Sequence, residues 1–131
     1  MSVETRLERR YNMIDSILTS VKKFLGYEEE HTHFDADIIM HINSILAVLT
    51  QMGVGPPEGF FISDSSSTWD EFVSDKVILS LTKTFVYHKV KLVFDPPMSS
   101  AAVASLEQTI KEFEWRLDSA VNYGKEEIQN E

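Results

Sequence analysis

The densest set of groups able to do chemistry lies in Tyr27 to Asp37, YEEEHTHFDAD, with five carboxylates and two histidines. By residue type His31, His33, Asp35 and Asp37 are all potential metal ligands. Their alternation works against a shared ion, because residues two apart point the same way only in a strand. Read as a loop entering a helix, the same residues have a simpler role. Asp35 or Thr32 N-caps the following helix, the acidic residues favour the positive end of its dipole, and the rest is solvated loop. The expectation is no metal and no cofactor.

Other chemistries fare no better. With no cysteine in the chain, disulfides, thiolate metal sites and cysteine nucleophiles are excluded, which suits assembly in a reducing cytoplasm. Gly53-Val54-Gly55-Pro56-Pro57 is not a phosphate loop, since no Gly-Lys-Ser/Thr follows and no strand precedes. His41 lies at the edge of a helix's apolar face, where a hydrogen-bonded structural histidine is the expected role. No nucleophile is spaced with a base, and no carboxylate pair is set in a cleft, so the chain is expected not to be an enzyme.

Two groups of polar residues remain. Lys76, Lys83 and Lys91 share one arc of a helix and form the only concentrated positive charge. They are expected to pair with the acidic stretches Glu28 to Asp37 or Glu58 to Asp75, in the same chain or a neighbouring one. Trp115 projects about 170° from its helix's apolar stripe, among Lys111, Glu112 and Asp118 and next to Arg116. An outward tryptophan on a polar face points to a protein interface, because tryptophan is enriched at binding hot spots. The net charge of -9 argues against a surface that grips nucleic acid, which needs clustered Lys and Arg.

The elements that position these residues are helical. Leu7, Tyr11, Ile14, Leu18, Val21 and Leu25 recur at alternating spacings of four and three, predicting an amphipathic helix over 3–25 that stops at Gly26. Ile38 to Met52 predicts a second, with Ile38, Ile42, Ile45, Leu46 and Leu49 inward and Asn43, Ala47 and Thr50 opposite. Gly59 to Asp64, GFFISD, reads as a strand or half of a small hairpin within the 54–68 connection. Thr68 and Glu71 match a capping box for a turn through Trp69, Phe72 and Val73.

Lys76 to Pro97 then predicts a long central helix, its arc of Ile78, Leu81, Phe85, Val86, Leu92 and Val93 covered by the rest of the chain. Asp95-Pro96-Pro97 ends it, because proline lacks the amide proton and disfavours a helical residue before it. Ser99 or Ser100 caps the last helix, whose stripe is Val103, Leu106, Ile110, Phe113, Leu117 and Val121. At 131 residues, 43% of them hydrophobic, the chain fits one domain: an all-α bundle of about four helices around a long central one. No apolar run reaches the roughly 18 residues that span a bilayer, and no signal-like segment opens the chain, so it is expected to be soluble and unexported, with no membrane partner.

The succession IIMHINSILAVLTQMGVGP, a WDEF turn, KTFVYHKVKLVFDPPMSS and LEQTIKEFEWRL resembles the tailed-phage head-tail connector, or adaptor, family. The likeness covers about Met13 to Val121 and is sharpest at Gly53-Val54-Gly55-Pro56, Leu92 to Pro97 and Glu114-Trp115-Arg116-Leu117. Residues 1–12 lie outside the likeness and are expected to be an N-terminal helical extension, followed by a single helical connector domain over 13–123 and a polar tail over 124–131. The likeness implies a structural virion protein without catalysis or cofactor, made in the host cytoplasm and joined into a ring, typically of twelve copies, at the portal vertex. Its partners would be the portal protein, a stopper or tail-completion protein, further copies of itself, and double-stranded DNA that passes through without being held by sequence. Lys76, Lys83 and Lys91 then become a candidate channel or inter-subunit charge face. The competing expectation is a small helical binding or regulatory protein of a mobile element, engaging one partner through the Trp115 face.

Overall fold

The computed structural model describes residues 15–129, with side chains through residue 123. Among these residues there are five helices and no sheet: α1 (Ile17–Leu25), α2 (Asp35–Gln51), the single turn α3 (Trp69–Phe72), α4 (Lys76–Phe94) and α5 (Ser100–Gln129). α4 is central. It packs against α1, α2 and α5, whereas α5 packs chiefly on α4. The polar tail expected from residue 124 continues as helix to Gln129.

The expected helix over 3–25 is interrupted at Ser16, whose backbone is extended (φ -64°, ψ 130°). Two long-range contacts hold it there. Ser16 bridges to Thr68, and Ile17 N–H donates to Ser67 O at 3.0 Å. The Ser16 hydroxyl then caps α1 by accepting from Thr19 N–H at 3.2 Å, so a helix starts afresh where the heptad pattern reads straight through. Leu7, Tyr11 and Ile14, with the 1–12 extension, lie outside the described residues. Gly26 closes α1 as expected, at φ +94°.

α2 also starts differently. Phe34 occupies its cap position and makes no side-chain capping bond, so neither Asp35 nor Thr32 serves as the cap. Asp35 instead lies in the first turn, with its carboxylate 2.9 Å from Lys22 Nζ. That oxygen receives no well-aligned hydrogen bond, so the pair is a close charge contact. Lys22 is only 2% exposed, and its amine donates a directed bond to Glu29 O at 2.9 Å, pinning the α1–α2 loop from below.

No strand forms in the 54–68 connection. Asn43, expected to face away from the core, turns to this loop and satisfies it as a strand would: Ile62 N–H donates to Asn43 Oδ1 at 2.8 Å, and Asn43 Nδ2 donates to Ile62 O at 2.9 Å. One side-chain amide thus replaces a hairpin partner and seats Ile62, 4% exposed, in the core. Before it, Gly55 adopts φ +81°, and a Cβ there would fall 2.4 Å from the Phe72 ring. Glu71 Oε1 accepts from Thr68 N–H at 3.1 Å, the return half of the capping box at α3.

Asp75 caps α4 by accepting from Ile78 N–H at 2.9 Å, and Ser99 caps α5 by accepting from Ala102 N–H at 3.0 Å. The buried face of α4 is Thr82, Phe85, Val86 and Val90. Phe85 and Val86 stand as expected, Ile78, Leu81 and Leu92 are half-buried, and Val93 is 49% exposed. The sequence arc is therefore rotated, because three helices rather than one choose which positions are covered. Thr82 is fully buried, and its hydroxyl has no hydrogen-bond partner among the described residues. Among the α5 residues with described side chains, Ile110 and Leu117 are buried, with the rest of the expected stripe half-buried beside them.

Phe85→Ala should cost about 3 to 5 kcal/mol, comparable to the whole stability of a small domain, and an unchanged thermal midpoint would remove α4 from the centre of the fold. Two glycines with similar φ separate strain from crowding. Gly26 faces open space, so Gly26→Ala should cost about 1 to 2 kcal/mol from the left-handed backbone alone, while Gly55→Ala must also displace Phe72 and should cost measurably more in urea unfolding.

Candidate interaction surfaces

The YEEEHTHFDAD segment folds into aromatic packing. His31 stacks on Tyr27 with ring centroids 5.2 Å apart and 5° between planes, and His33 meets the Phe34 ring edge-on at 4.7 Å. Phe34 in turn packs on Phe94 at 5.8 Å, so the α1–α2 loop closes over the end of α4. His41 packs on the same Phe94 ring at 6.1 Å. With Asp35 at Lys22 and Asp37 exposed, the four candidate ligands are dispersed among separate tasks. Among the described residues no three of His, Asp and Glu converge on a metal-sized site.

Lys76, Lys83 and Lys91 share an arc of α4 but not an environment. Lys76 is exposed, and Lys91 pairs with Asp95 at 2.9 Å, one turn away in its own chain and in neither acidic stretch expected to meet it. Lys83 is half-buried near a knot of carboxylates at the α1–α3 bridge. Partial burial there raises the Asp15 carboxyl above its ordinary range, the adjoining Asp70 carboxyl adds to the rise, and Lys83 opposes it. Asp70 is lowered, first by the Thr68 hydroxyl and then by Asp15, so the two neighbouring carboxyls are pushed in opposite directions.

Trp115 is 66% exposed on the outer side of α5, and Tyr123, two turns further on, is 64% exposed. Beside Trp115, Arg116 reaches back to Glu112, donating to one carboxylate oxygen from Nη2 at 2.9 Å and from Nε at 3.2 Å. Lys111 is exposed on the same side. Such an exposed i,i+4 pair contributes little to stability, about 0.3 to 0.5 kcal/mol, but it holds a charged rim in place around the indole.

A further surface escaped the sequence reading. Phe24 at the end of α1 and His88 on α4, ring centroids 5.1 Å apart, form one wall of an open groove whose other wall is the first half of α5. Lys91, Ala102, Ser105 and Leu106 also line it, enclosing about 320 Å³. Phe24 is 42% exposed there. His88 Nδ1 lies 2.7 Å from Thr84 O. A carbonyl oxygen only accepts, so Nδ1 carries the proton and Nε2 of the neutral ring is left as an acceptor. Phe24 and His88 are 64 positions apart in the chain, which is why periodicity within one helix gave no sign of the groove. The signal available was an aromatic off its helix's apolar seam.

These features define a small all-helical protein whose distinctive surfaces suit contact with other macromolecules. A family model described as phage connector protein matches residues 17–124. The chain belongs to that phage connector family, and its role is that of a structural connector in the phage particle. Searches of curated proteins and of solved structures return no match. No helix among the described residues is long and apolar enough to cross a membrane.

Trp115→Ala should leave the fold nearly intact, lowering stability by at most about 1 kcal/mol. A collapse of the thermal transition would make Trp115 a core residue. At the carboxylate knot, the raised folded-state value of Asp15 means that its charged form is disfavoured by folding. That penalty is present at neutral pH and is relieved as pH falls through the folded value. Asp15→Asn, whose amide can donate to Asp70 without charge, should therefore raise the melting temperature at pH 7, with the advantage narrowing towards pH 3. An advantage that grows on acidification would reverse the sign of this coupling.

Proposed function

We propose that the chain forms a ring, typically of twelve copies, between the portal and the stopper or tail, extending the DNA channel and completing the head after packaging. The observation that carries this reading is the connector-family match across residues 17–124. Its work is mechanical, with no catalytic step and no cofactor. The portal protein lies on one side and the stopper or tail-completion protein on the other. Trp115, Lys111, Glu112 and Arg116 supply a docking face, which agrees with an indole 66% exposed on a helix supported along one side.

DNA passes without being gripped. A net charge of -9 repels phosphate, and the separate surroundings of Lys76, Lys83 and Lys91 leave no continuous cationic track on α4. Sliding requires this, since a wall that neutralised many phosphates would hold the genome back.

Co-expression with the portal protein of the same phage should yield a complex that survives purification at physiological salt. Trp115→Ala should weaken assembly by about 2 kcal/mol or more per contact if the residue is a hot spot. Capture of one soluble partner at one-to-one stoichiometry, with no portal association, would favour a regulatory binding protein of a mobile element. In a gel-shift assay the isolated chain should show no tight DNA binding. Submicromolar affinity with a steep salt dependence, lost on changing Lys76, Lys83 and Lys91 to Ala, would replace the conduit by a DNA-holding role.

A further inference from the structure

We propose that the groove between α4 and α5 receives the Trp115 face of a second copy of this chain, so that neighbouring copies join head to tail. The inference rests on the ring reading above and names the two surfaces that meet within it.

The two surfaces differ in charge. α4 carries Lys76, Lys83, Lys89 and Lys91 and no carboxylate, whereas α5 carries six Asp and Glu against three Lys and Arg. Among the described helices α1 and α4 carry lysines and no carboxylate, and of the α4 lysines it is Lys91, beside its own Asp95, that lines the groove. Around Trp115, Glu112 is met by Arg116, and Glu114 and Asp118 outnumber Lys111, so the face that presents the indole keeps a small acidic excess to set against Lys91.

Size and hydrogen bonding agree. A groove of about 320 Å³ is at the small end of the ~300–1,000 Å³ typical of ligand sites, room for one large side chain and its neighbours. Phe24 and Leu106 offer apolar walls, and the Lys91 ammonium can lie against an aromatic face. His88 supplies the acceptor at Nε2, and an indole N–H is a donor without acceptor capacity. Trp115 brings the matching donor on an exposed aromatic side chain. The other tryptophan, Trp69, is fully buried, with its N–H already given to Ser20 Oγ at 2.8 Å.

Groove and indole cannot meet within one molecule. Ala102 and Trp115 are thirteen positions apart on α5, which places them roughly 20 Å apart along the axis and about 140° apart around it. A contact between unlike surfaces is heterologous, and repeated around a closing rotation it makes a ring.

The test follows association of the full-length chain by sedimentation velocity, with intrinsic fluorescence measured in parallel. The chain has two tryptophans and Trp69 is already buried, so a blue shift on association reports Trp115. Association should weaken at least about tenfold with Trp115→Ala and, from the other side, with Ala102→Trp, which fills the groove from an exposed position. Ala102→Trp should keep the parent's melting temperature, and Trp115→Ala should lower it only slightly. Because the chain has no cysteine, mixing Asp118→Cys chains with Ser105→Cys chains should give a mixed disulfide dimer faster than either variant alone. Association without a blue shift, or indifferent to Ala102→Trp, overturns the groove as the docking site and leaves the ring reading standing. Faster like-with-like disulfides overturn the head-to-tail arrangement. A chain that remains monomeric to millimolar concentration overturns the docking as an intrinsic contact, and portal co-purification then decides the ring reading separately.

Discussion

The burial of Trp69 is the interaction on which the rest of the fold depends. Its ring is fully buried, its N–H donates to Ser20 on α1, and its edge meets Tyr87 on α4 with centroids 5.9 Å apart. An indole buried without that acceptor would carry a desolvation cost of about 1 to 3 kcal/mol, so the hydroxyl of Ser20 permits the burial as much as it adds to it. The same cluster raises the Tyr87 hydroxyl above its usual range through burial, against the nearby polar groups of Ser20 and Trp69, which act the other way. Through this residue the long α2–α4 connection is tied to the first helix and the central helix together. The Ser16–Thr68 bridge lies immediately beside it and sets the start of α1.

What could be read from the sequence was whatever depends on near neighbours. The stops at Gly26 and Asp95-Pro96-Pro97, the caps at Ser99 and at Thr68 with Glu71, and the inward face of α2 all arise from residues within a few positions of each other. The all-helical class followed from those, and the connector resemblance from phrases spread through the same helices. The places where local reading failed each involve a distant partner. Ser16 is extended because of residue 68, Asn43 turns aside because of residue 62, and Lys22 is buried because Glu29 and Asp35 receive its amine.

The candidate site divides in the same way. Trp115 could be placed by counting along one helix, since an exposed face requires only that nothing covers it. The Phe24–His88 groove requires three helices to be assembled first, and the lysines of α4 acquire different roles only when Asp15 and Asp95 are seen beside them. Interaction surfaces on single helices are thus legible before folding, and those built between helices are not.

α5 has thirty residues, about 45 Å at the usual helical rise, and among the described helices a single principal neighbour. In mechanical terms it is a beam clamped along one side. Among the described residues, a load applied at its outer face reaches α1 and α2 chiefly through the α4 contact. Among the described residues the stiffness against such a load is therefore set chiefly by one helix–helix seam, centred on Ile110 and Leu117, however well the remainder of the core is packed.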